Sequence, residues 1–145
     1  GTVKNNRFGG FAKVDYEATE KVTVKFRGEF LMASSEYLTF ADMDSVATTD
    51  AQAFFVHLGI QPCPKTEFLL RYDSHDPDTD QSYVAGVTAD DEISWLTGGV
   101  NYYLDGINAM FYLNYIRKME SGKYADGSDR EIDNDLIVAQ VQITF

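Results

Sequence analysis

The chain has 145 residues, a formal net charge of −11 and an apolar share of 44%, enough for one folded domain and too apolar for a disordered one. The acidic balance argues against nucleic acid or an anionic membrane surface as a partner attracted by charge. The single cysteine, Cys63, can close no internal disulfide and complete no thiolate metal site, and no apolar run approaches the ~18 residues of a membrane helix.

The opening "GTVKNNRFGG" lacks the charged start and apolar centre of a secretory signal. From there the pattern is strand throughout. Phe8, Gly10, Ala12, Val14 and Tyr16 alternate with Gly9, Phe11, Lys13, Asp15 and Glu17. After "ATE", Val22, Val24, Phe26, Gly28, Phe30 and Met32 alternate with Thr23, Lys25, Arg27 and Glu29, a second strand on period two. The polar stretch 34–51, "SSEYLTFADMDSVATTDA", reads as a long loop. Phe54, Val56, Leu58 and Ile60 then alternate with Phe55, His57 and Gly59, and "QPCPK" turns the chain into "TEFLLRYD".

A long acidic connection, "SHDPDTDQSYVAGVTADDE", precedes the strand "SWLTGGVNYYL". "DGIN" is a hairpin signal, because Asp-Gly suits the tight turns that match strand twist. "AMFYLNYIRK" is the sixth strand, and a third loop, "MESGKYADGSDREIDND", leads to the seventh. There Ile137, Ala139, Val141, Ile143 and Phe145 share one face. The alternation runs to the last residue, although termini are usually loose unless tied down.

Short and long connections alternate along this series, as tight inner turns and long outer loops do in an outer-membrane barrel. Strands with one apolar and one polar face suit lipid outside and water inside, and only a closed barrel pairs every backbone group in a bilayer. The predicted class is therefore all-β, an antiparallel transmembrane barrel with about seven strands in residues 1–145. Val24, Leu58, Val100 and Val141 are expected to face lipid, and Lys25, His57, Asn101 and Gln142 to face water. Two aromatic belts are expected, with Phe8, Phe30, Phe54, Tyr72 and Tyr115 toward the loops, and Tyr16, Tyr102 and Phe145 toward the tight turns.

"LLRYDSHDPDTD", "LTGGVNYYLDGINAMFYLNYIRK" and the ending "VAQVQITF" together resemble the C-terminal part of the phosphate-selective porin family, over residues 66–145. The resemblance implies a trimeric outer-membrane barrel, typically sixteen-stranded, whose terminal aromatic residue, here Phe145, is read by the outer-membrane assembly machinery. It implies passive diffusion of small solutes or ions, anions such as phosphate among them, and no enzymatic chemistry. The acidic loops of this chain depart from the anion-selective members.

Basic side chains predicted on the water face are Lys13, Lys25, Arg27 and Arg71, with Lys118 near the end of its strand; such groups set selectivity in a pore. Asp15, Glu29 and Glu67 share that face, and Arg71 reads as a structural partner of Glu67 or Glu29. Lys25 and Arg27 are the leading candidates for contact with an anion. Asp76, Asp78 and Asp80 in the first acidic loop offer hard oxygen ligands for calcium, within the loop or bridging to lipopolysaccharide. His57 lacks a paired ligand or nucleophile, and Ser94 has no supporting motif, so nothing argues for catalysis. Two other functions fit the pattern: a non-conducting structural or adhesive barrel, and a soluble β-sandwich or lipocalin-like binding module. Seven strands starting outside and finishing inside cannot close antiparallel on themselves, so the chain is expected to be the C-terminal portion of a larger barrel.

Overall fold

The computed structural model describes residues 4–39, 42–79, 92–106, 108–120, 128 and 133–144. They form seven strands: β1 (Asn5–Glu17), β2 (Thr23–Thr39), β3 (Asp42–Cys63), β4 (Thr66–Asp76), β5 (Ile93–Asp105), β6 (Ala109–Glu120) and β7 (Leu136–Ile143). Each pairs antiparallel with its neighbour in sequence, giving one sheet in the order β1-β2-β3-β4-β5-β6-β7. The sheet is open: among the described residues β1 pairs only with β2 and β7 only with β6.

Turn chemistry sets the hairpins. Thr19 holds the β1–β2 turn, its hydroxyl accepting from the Val22 amide at 3.1 Å while Ala18 N–H donates to Val22 O at 2.9 Å. Pro64 and Lys65 alone separate β3 from β4. At the β5–β6 turn Gly106 has φ +53°, a conformation only glycine takes without strain, and Asn108 N–H donates to Asp105 O at 2.9 Å.

The expected loop over residues 34–51 is instead strand. β2 continues to Thr39 and β3 begins at Asp42, paired from Ser34↔Asp50 through Leu38↔Val46. A ladder needs only backbone groups, and β1 pairs no farther than Ser35, so beyond that point the described residues of β2 pair with β3 alone. The long connections are therefore two, between β4 and β5 and between β6 and β7.

Register carries the apolar face across every strand. Val14, Phe26, Leu58, Leu70, Gly98, Tyr115 and Ile137 lie directly opposite one another in turn. The large side chains of this row are all exposed, and among the described residues Met110, at 9% exposure, is the only buried hydrophobic. The sheet has no apolar core. Arg117 also falls on the apolar face, opposite Leu96, three residues from the loop end of β6.

The strands are staggered. Along the row Lys25, Gly59, Leu69, Gly99, Asn114 the distance from the tight turns grows from one even strand to the next. It is two residues in β2 (Lys25 to Thr23), three in β4 (Leu69 to Thr66) and five in β6 (Asn114 to Ala109). Such drift in one direction is the stagger of strands tilted against their hydrogen-bond rows.

Adjacent glycines on opposite faces test this packing. A Cβ on Gly99 would sit 2.9 Å from Leu113 O and collide with the Asn114 side chain, whereas one on Gly98 meets nothing within 4 Å. Gly99→Ala is expected to lower stability by roughly 1–3 kcal/mol, and Gly98→Ala to stay within about 0.5 kcal/mol of the parent, in urea unfolding followed by gel mobility.

Candidate functional site on the polar face

The polar face carries a row of basic groups running across the strands. Lys13, Arg27, His57 and Arg71 occupy directly opposing positions on β1 to β4, and Thr97 continues the row on β5. Neighbouring strands lie ~4.8 Å apart, so cations packed this way repel unless each finds a counter-charge. Most do. Lys13 Nζ lies 3.5 Å from Asp15, both well exposed. Arg71 forks onto Asp73 through three contacts of 2.5–2.9 Å, and its guanidinium lies 4.1 Å from the centre of the Phe55 ring. The sequence reading paired Arg71 with Glu67 or Glu29. The structure gives it Asp73, two residues along the same strand and therefore on the same face.

Lys25 is likewise committed. Its Nζ donates to Glu67 Oε2 at 2.7 Å, and Tyr103 O–H donates to the same oxygen at 2.6 Å. Glu67 is only 3% exposed. The neighbouring Gly59 makes room for this carboxylate, since a Cβ there would lie 2.8 Å from Glu67 Oε1. His57 Nε2 approaches that oxygen at 3.7 Å and is buried without a hydrogen bond. A buried carboxylate held by a lysine and a phenol is a structural clamp joining β2, β4 and β5. Lys25 is thereby committed to this clamp.

Arg27 differs from the rest of the row. It has no ion pair among the described residues, and its Nε is buried without a hydrogen-bond partner. Glu29, two residues along β2, also has no ion pair or hydrogen bond among the described residues. One cation and one carboxylate thus remain uncommitted on the same strand. Lys118 faces Trp95 on β5.

His57 and Ser94 lie on opposite faces, since His57 shares the row of Arg71 and Thr97 whereas Ser94 pairs with Ser74. They cannot form a nucleophile–base pair. Ser94 belongs to a cluster on the apolar face, where it accepts from Tyr72 O–H at 2.9 Å while Ser74 donates to Glu92 at 2.8 Å. Tyr72 also packs on Phe54, ring centres 5.8 Å apart.

Of the belt residues, Tyr16 and Tyr102 are exposed near the tight turns. Tyr115 stands in the middle of β6 and not at its loop end, yet its partner Ile137 is the second residue of β7, where the Tyr115 hydroxyl donates to Asp135. Phe145 lies outside the described residues, as does Asp80 of the calcium candidate. Asp76 Oδ1 accepts from the Asp78 amide at 3.2 Å, and no group of three or more potential metal ligands converges among the described residues.

Cys63, exposed at the β3–β4 turn, has a thiol pKa lowered by the Lys65 backbone and the Thr66 side chain. Tyr103 and the Gly59 gap had escaped the sequence reading, and Asp73, which reads in the sequence as one of the carboxylates of the acidic loop, is instead the partner of Arg71. Strand parity places them on the polar face; only the register shows what they touch.

No protein-family model, curated protein or solved structure matches the chain.

The clamp makes a prediction. Glu67→Gln leaves the Lys25 ammonium largely shielded without its counter-charge and is expected to cost about 2–3 kcal/mol in urea unfolding, whereas Glu29→Gln should be close to neutral.

Proposed function

We propose that this sheet is part of the wall of an outer-membrane β-barrel whose water-filled lumen lets small solutes and ions diffuse down their gradients. The observation that carries the reading is the continuous, exposed apolar face on one side of a sheet whose other side holds the charged groups. Burying each large apolar side chain is worth roughly 1.5–3 kcal/mol. Leaving more than a dozen of them in water would exceed the whole 5–15 kcal/mol stability of an ordinary domain. Lipid satisfies that face; a soluble sandwich would need a second layer, and among the described residues the sheet has none.

Other features support the same reading. β1, β4, β5 and β6 have 13, 11, 13 and 12 residues, enough for the ~9–11 that cross a bilayer at a tilt. The stagger suits strands tilted in a barrel wall. β1 and β7 run in the same direction, so antiparallel closure calls for an odd number of further strands between them. In this reading Arg117 lies at the outer interface, and the barrel works as part of an oligomer, a trimer on the porin resemblance. Its partners are lipopolysaccharide and, through Phe145, the assembly machinery.

The lumen wall supports weak selectivity, because its cations and carboxylates largely neutralise one another. Arg27 and Glu29 are the groups left to act on a passing ion, Arg27 toward anions such as phosphate.

Protein extracted from membranes in non-ionic detergent is expected to give stepwise conductance in planar bilayers. Arg27→Gln should shift the reversal potential in a salt gradient toward cations, and Lys13→Gln, whose charge is paired and exposed, should shift it less. A protein that stays monodisperse without detergent would reject the membrane reading, and a silent bilayer would favour a scaffold over a channel.

Sidedness can be read independently. An impermeant maleimide should label Cys63 only after cells are opened, while in a Cys63→Ser background Asp78→Cys should react on whole cells. The reverse pattern would invert the topology.

A further inference from the structure

Next to the basic row lies a second row of different chemistry. Phe11, Glu29, Phe55, Asp73, Trp95 and Lys118 oppose one another in turn across β1 to β6. Aromatic rings on the odd strands alternate with charges on the even ones. On the part of this row spanning β2 to β5 the polar face sinks into a hollow of about 290 Å³, near the small end of the ~300–1,000 Å³ common for ligand sites. Glu29, Leu31, Phe55, Asp73, Ile93 and Trp95 line it.

The hollow is apolar in its walls, and its polar groups are the carboxylates of Glu29 and Asp73 with His75 and Ser74 at the loop side. Asp73 is already neutralised by Arg71. Glu29 is not: it stands between the rings of Phe11 and Phe55 with no partner among the described residues. The Phe55 ring already receives one cation, the Arg71 guanidinium at 4.1 Å. Trp95, exposed in the same wall, presents the ring type that attracts cations most strongly. The uncommitted Arg27 lies one row away and does not line the hollow.

We propose that this hollow binds small organic cations, an ammonium group on a compact apolar body. Glu29 takes the charge, the rings of Phe55 and Trp95 add cation–π attraction, and Leu31 and Ile93 cover the apolar portion. Anions meet an unpaired carboxylate there, and neutral solutes leave it unpaired. As a station on a diffusion path the site rests on the channel reading; as a binding site it rests on the sheet alone.

Trp95 is the only tryptophan in the chain and therefore reports on its own site. The detergent-solubilised protein is titrated with 2-phenylethylammonium, with neutral 2-phenylethanol and with phenylacetate, following Trp95 emission. The ammonium should give a saturable change, with half-saturation at least about tenfold lower than for either of the other two. Glu29→Gln and Phe55→Leu should each raise the ammonium half-saturation several-fold, while Glu29→Asp retains most of the response. Retention of the parent's heat-dependent gel mobility shows that each variant is folded. Equal half-saturation for all three probes, or a folded Glu29→Gln with unchanged response, would overturn the site. The bilayer separates the two readings. An ammonium response in a protein that passes no current keeps the site and rejects the channel, whereas current without that response keeps the channel and rejects the site.

Discussion

The structure depends on the coincidence of two periods: side chains that change face at every residue, and a backbone register that sets like faces opposite one another. Val14, Phe26, Leu58, Leu70, Tyr115 and Ile137 form one exposed band because the ladders keep them in step. A slip of one residue between any two strands would send half the band to the charged side. The tight turns at Thr19, Pro64 and Gly106 hold that register, each closing its hairpin within a few residues of chain. No core does so.

The charged face is ordered by neutralisation. A row of four basic or imidazole side chains stands in a single line, and the protein relieves it and the lysine beside it through carboxylates on the same strand or two strands away. Arg71 is met by Asp73, Lys13 by Asp15, and the adjacent Lys25 by Glu67. The members of this set differ in how they are engaged. Groups locked in the Lys25–Glu67–Tyr103 clamp bind the strands together, whereas Arg27 and Glu29 have no ion pair among the described residues. The aromatic row beside them gives the wall an apolar surface that charge patterning alone would not suggest.

Much of this was legible in the residues. The starts of β4 at Thr66 and of β6 at Ala109 follow from the "QPCPK" and "DGIN" turns, and the two faces follow from counting by twos. The tip of the β2–β3 hairpin was not legible. Its stretch over 34–51 lacks the period-two alternation of the other strands, and only backbone pairing shows it to be a ladder. The specific pairing of Lys25 was not legible for a different cause. Its partner Glu67 is 42 positions away and meets it only because β2 and β4 both flank β3 at Gly59.

Sequence alone determined the strand class, the position of the tight turns and which side chains share a face, because these depend on local periodicity and turn chemistry. The tertiary structure decided which strand neighbours which, by how many residues each is offset, and which charges meet. Those are properties of register, summed across hydrogen-bonded pairs far apart in the chain, and no local pattern encodes them. The uncommitted Glu29 and the ring of Trp95 stand 66 positions apart, yet the ladder places both in one hollow.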